Sequence, residues 1–91
     1  MRRISREEIL WLTRAITKDA RKLDLIPPEA TVTYGRGSVT NGHPPRVCVM
    51  DRAGHVAVSF LPSFTYRHTA RDVHLALSAT RLALEAIAAR Q

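Results

Sequence analysis

Arginines, lysines and one tryptophan are the chemistry-bearing side chains whose spacing first stands out. Arg14, Lys18, Arg21 and Lys22 recur at helical intervals, and Trp11 projects onto the same side. Cations interleaved with an aromatic ring suit phosphate neutralisation together with stacking on a base or sugar. A second group, Arg67-His68-Thr69-Ala70-Arg71, opens the last helical pattern. There the helix dipole favours anions, and Arg67 and Arg71, one turn apart, read as a phosphate clamp. A third group lies between Gly35 and Pro45, an eleven-residue stretch carrying Arg36, Asn41, Gly42 and His43. A loop of that length in a small domain points to function. It lacks the Gly-Lys-Ser/Thr ending of a phosphate-binding P-loop and leads into a strand, so it is not one.

Catalytic and metal chemistry find little footing. His43, His55, His68 and His74 have no zinc-like spacing, and Cys48 stands alone inside a strand pattern, where it reads as core. No Ser/His/Asp set is identifiable. Neither a catalytic residue, a metal ligand nor a cofactor is expected.

The elements that must position these groups are legible in order. Ser5 with Glu8 three residues later forms a capping box, and Ile4 can staple onto Ile9. Ile9, Leu12, Ile16, Ala20 and Leu23 make one apolar stripe, so the spacing predicts a helix from Ser5 to Asp24, ahead of Pro27-Pro28. Thr31–Tyr34 and Arg46–Met50 read as strands. Asp51–Gly54 reads as a turn. His55–Leu61 reads as a third strand, with Val56, Val58 and Phe60 on one face. The last helix is expected over Thr69–Arg90, its core stripe being Val73, Leu77, Thr80, Leu84 and Ile87, with Ala76 and Ala83 beside it. Leu75, Ala79, Leu82 and Ala86 form a second stripe opposite, which suggests a homodimer contact. The fold class is α+β: a two-layer sandwich of helix, three-stranded antiparallel sheet and helix, with both helices on one sheet face.

Ninety-one residues permit one small domain with a modest core. Forty-five per cent apolar residues exclude a disordered basic tail. The net charge is +6, and residues 1–24 and 65–91 carry most of it. Twelve arginines and twelve alanines match the bias of a GC-rich coding sequence, so a bacterium or its phage is the expected source. The basic start Met1–Arg6 meets Glu7-Glu8 where a signal peptide would be apolar, and one cysteine allows no internal disulfide. A cytoplasmic protein without a membrane association is expected.

The helix, three strands, helix order, with two of these motifs, resembles the double-stranded-RNA-binding-domain family. Asn41-Gly42-His43-Pro44 is similar to that family's Gly-Pro-x-His loop in permuted order. Arg67-His68-Thr69-Ala70-Arg71 looks like a basic variant of its Lys-Lys-x-Ala-Lys box. The resemblance implies that His43 approaches a minor groove and that Arg67 and Arg71 grip phosphates across the major groove. It also implies that the first helix meets the adjoining minor groove. RNA is then the expected partner rather than DNA. The same topology resembles the HicA family of mRNA-cleaving toxins, on Gly42-His43, the Asp51–Gly54 turn and Pro62. That likeness implies acid or base work for His43. A third reading is a small interaction module that binds a host protein through Trp11 or the Leu75/Leu82 stripe.

Overall fold

Capping chemistry starts the first helix where the sequence places it. In the computed structural model, which describes residues 3–38, 40–56 and 58–91, Ser5 Oγ accepts from the Glu8 backbone at 3.3 Å. Glu8 Oε2 accepts from the Ser5 backbone at 3.0 Å. The helix α1 (Arg6–Lys22) ends two residues earlier than expected. Asp24 adopts a left-handed φ of 58°, its N–H bonds to Arg21 O, and Leu25 N–H bonds back to Ala20 O at 2.9 Å. These two bonds satisfy the last carbonyls of α1 before the prolines are reached.

Strands β1 (Thr31–Gly35), β2 (Arg46–Asp51) and β3 (Gly54–Val56) form an antiparallel sheet in that order. Register sets Val32 against Val49 and Tyr34 against Val47. Val32, Val47 and Val49 thereby share the core face. The β2–β3 turn is closed by Asp51 Oδ1, which accepts from Ala53 N–H at 2.8 Å, and by Gly54 at φ 117°.

The expected third strand to Leu61 is corrected: β3 stops at Val56, and Ala57 lies outside the described residues. A continued strand would alternate, sending Leu61 to the face opposite Val58 and Phe60. Instead the chain turns through Ser59 and Phe60, with Leu61 N–H bonded to Val58 O. Leu61 is thereby buried, while Val58, Phe60 and Phe64 pack against the core. Burial of Leu61, with partial burial of Val58, Phe60 and Phe64, outweighs a few edge-strand hydrogen bonds.

Helix α2 (Ala70–Ala88) begins at a second capping box, made by Thr69 and Asp72. It packs against α1, α1 packs against β1, and residues of both helices and the sheet join in one core around Ile9, Ile16, Val73 and Leu77. One expected core residue is displaced. Ile87 is half exposed and Ala88 is buried in its stead. The buried row Val73, Leu77, Leu84, Ala88 advances slightly ahead of the helical repeat, so by the last turn it has rotated past Ile87. Ala83 is exposed, and Thr80 is half-buried.

A buried hydroxyl ties the two layers together. Thr17 Oγ1 donates to Thr13 O at 2.7 Å and accepts from the Val32 N–H at 2.9 Å, on the open edge of β1. Arg21 reaches the same edge, its Nε donating to Ala30 O at 2.9 Å. Thr17→Val keeps the shape of the side chain but leaves the Val32 amide without its acceptor. A loss of about 1–3 kcal/mol is expected, read by chemical denaturation with an unchanged m-value.

Candidate nucleic-acid interface

Chain direction decides which groups meet. Successive elements reverse, so α1 and α2 run the same way. Their N-terminal ends, the β1–β2 loop and the approach to α2 all gather at one end of the domain. That end is markedly basic. A cleft of about 720 Å³ is lined there by Arg3, Arg6, Arg36 and Arg71, with Ile4, Ser5, Ile9, Tyr34, Thr69 and Ala70. An adjoining recess of about 220 Å³ shares Tyr34, Arg36, Thr69 and Ala70 and adds Arg67, His43, His68 and Tyr66. Among the described residues, no carboxylate lines either one. At the opposite end Arg21, Lys22, Arg52 and Arg90 are largely offset by Asp24, Glu29 and Asp51.

The loop that carries Arg36 and His43 is a closed hairpin extension. Ser38 and His43 exchange backbone hydrogen bonds, both 2.9 Å, and Gly42 turns the chain at φ 67°. Gly37 lies so close to the returning strand that a Cβ would come within 2.6 Å of Pro45 N, so only glycine fits there. Val39 lies outside the described residues. Across the recess, His68 Nδ1 lies 2.7 Å from Thr65 N and so accepts its N–H. The His68 ring also stands edge-on to Phe64, with centroids 5.5 Å apart. The Arg67 guanidinium covers the Tyr66 ring at 5.6 Å, with Nε donating to Tyr66 Oη at 3.3 Å.

Asp72 belongs to the cap and not to the cleft lining. Its carboxyl is held below the ordinary 3.8, first by the Thr69 backbone N–H, then by the Thr69 hydroxyl, with His68 and Arg71 adding smaller contributions. A depressed carboxyl stabilises the fold above its unfolded-state pKa and loses that contribution as pH falls through the folded one. Thermal stability is therefore expected to hold above about pH 5 and to decline as the pH falls below it. Asp72→Asn should flatten that decline, as followed by circular dichroism.

Arg36, His43, Arg67 and Arg71, named from sequence, are thus brought together. Trp11, Arg14, Lys18 and Lys22 are exposed along α1 and line neither recess. Trp11 borders a separate groove between the helices, where the Arg81 guanidinium covers one face of its ring at 5.3 Å and binds Glu85 at 2.8 Å. Only its other face can stack on a ligand. Arg3 and Arg6 escaped the sequence reading. The signal that could have found them is the alternation of element direction, which puts the start of α1 beside the start of α2. Cys48 is buried on the far side of the sheet, near Thr33 and beside residues 62–64, and is not in the main core cluster.

Among the described residues, no His, Cys, Asp or Glu cluster could hold a metal ion, and no helix is long and apolar enough to cross a membrane. Compared with family models, curated proteins and solved structures, the chain matches none of them.

Proposed function

We propose that this domain binds nucleic acid, with RNA as the favoured form, by gripping phosphates at its basic end. One observation carries the reading: among the described residues, five arginines and no carboxylate line two adjoining recesses. Guanidinium groups suit that role because each offers several N–H donors in a planar fork matched to phosphate. Tyr34 and Tyr66 add π-faces beside the cations, which favours a strand whose bases or sugars can be reached. Along α1, Arg14 and Lys18 lie within about 18 Å of Arg6, so a duplex seated on the cleft would also meet that face and Trp11.

Binding should fall steeply with salt. Five phosphate contacts correspond to a slope of about −4.5 in log K against log salt on a duplex, or roughly 500-fold weakening between 50 and 200 mM. Fluorescence anisotropy on duplex RNA, duplex DNA and single strands checks this. Absence of binding at about 50 mM salt would rule the reading out.

A further inference from the structure

Helix α2 keeps a second apolar row that the fold leaves uncovered. Leu75, Ala79, Leu82 and Ala86 lie on the side opposite the buried row, with Leu75 72% and Leu82 57% exposed. Their steps of four, three and four residues follow the heptad seam of paired helices. We propose that a second copy of this chain covers the row, with the two α2 helices antiparallel about a two-fold axis between Thr80 and Arg81.

Residue size sets the register. Antiparallel pairing about that point sets position 75 against 86 and 79 against 82, so each leucine of one copy meets an alanine of the other. Large side chains then fill the space above small ones along the whole row. Parallel pairing would oppose leucine to leucine and alanine to alanine, leaving the alanine layers empty. Charge agrees with the same register. Asp72 lies on one flank of the row in the first turn of α2, and Arg90 follows the Ala89 cap at its end, eighteen residues further along. With the axis between Thr80 and Arg81, Asp72 of one copy lies opposite the partner's Ala89, so the partner's Arg90 is offset from it by one residue, about 1.5 Å of rise, within reach of an arginine side chain. Both capping bonds from Thr69 end on Asp72 Oδ2, leaving Oδ1 for this contact.

The row is about 17 Å long, shorter than a standard interface needs, so the dimer should exchange with monomer at micromolar concentration. Antiparallel pairing also sets the two α2 N-terminal ends about 30 Å apart along the helix direction. On the proposed reading of the cleft, that spacing is comparable to one turn of a nucleic-acid duplex, about 34 Å in B-form and somewhat less in A-form, so one duplex could engage both clefts.

Sedimentation equilibrium of the full chain without nucleic acid, from about 1 to 200 µM, tests the interface apart from the cleft. A monomer–dimer equilibrium is expected, abolished by Leu82→Glu with circular dichroism unchanged, and weakened by the milder Leu75→Ser. Arg90→Glu should weaken it several-fold. In a Cys48→Ser background, Ala79→Cys mixed with Leu82→Cys should form a mixed disulfide, whereas Ala79→Cys alone should not couple to itself. A monomer at every concentration, a dimer indifferent to both leucine variants, or self-coupling at position 79 alone would overturn the proposal. None of these results bears on whether the cleft binds phosphate.

Discussion

Replacing Arg36 and Arg67 together by alanine is expected to weaken RNA binding about 100-fold while leaving the fold intact. Both side chains are exposed at the basic end, and neither belongs to the core cluster. A charge-assisted contact to phosphate contributes about 1.5 kcal/mol, so losing two costs about 3 kcal/mol, or two decades in affinity. The salt dependence separates this from a general loss of charge. Each lost phosphate contact should reduce the slope by about one, bringing it from about −4.5 toward −2.7. Arg52→Ala at the opposite end removes the same formal charge as Arg36→Ala alone and should change affinity less than about two-fold. Equal losses from Arg52→Ala and Arg36→Ala would mean that net charge alone, and not the cleft, attracts the ligand.

Ile16→Ala should be the most damaging single change to stability. Ile16 is fully buried on the face of α1 that meets both the sheet and α2. Its truncation removes apolar contacts on two sides and leaves a cavity that two capped helices cannot collapse around, at a cost of about 2–5 kcal/mol. A domain this small has about 5–14 kcal/mol in all, so the loss is a large share of it. The melting midpoint should fall by about 10–25 °C, measured by calorimetry or circular dichroism. A drop under about 4 °C would mean that α1 is not the central element of the core.

Local chemistry was legible wherever it acts over a few residues. The Ser5–Glu8 capping box, the Asp51–Gly54 turn and the Thr69–Asp72 start of α2 all appear where the sequence puts them, because each is satisfied by groups two or three residues apart. The third strand was not legible to its end. Val56, Val58 and Phe60 alternate correctly for a strand, but whether Leu61 stays exposed depends on a core made by distant residues. Ile87 and Ala88 show the same limit, since one or the other is buried according to how α2 crosses its neighbour.

The candidate site divides along similar lines. Arg67 and Arg71, four residues apart, were visible as a pair, although Arg67 precedes the Thr69 cap and the two line adjoining recesses, and Arg36 and His43 were visible as members of one loop. Trp11, read onto the basic side of α1, is exposed there, but its stacking partner is Arg81, seventy residues away, which no helical projection of α1 could reveal.

By itself the sequence determined the order of helix, three strands and helix, the caps that start both helices, and an excess of positive charge. Those depend on neighbouring residues and on composition. Tertiary structure alone decided which cations share a space. Each element reverses the direction of the one before, so the starts of α1 and α2 and the β1–β2 loop converge. Arg3 and Arg6 thereby join Arg36 and Arg71 around one cleft. The same reversals carry Lys22 to the end where acidic residues offset it. Charge close in sequence is thus divided between two poles, and charge far apart in sequence is collected at one.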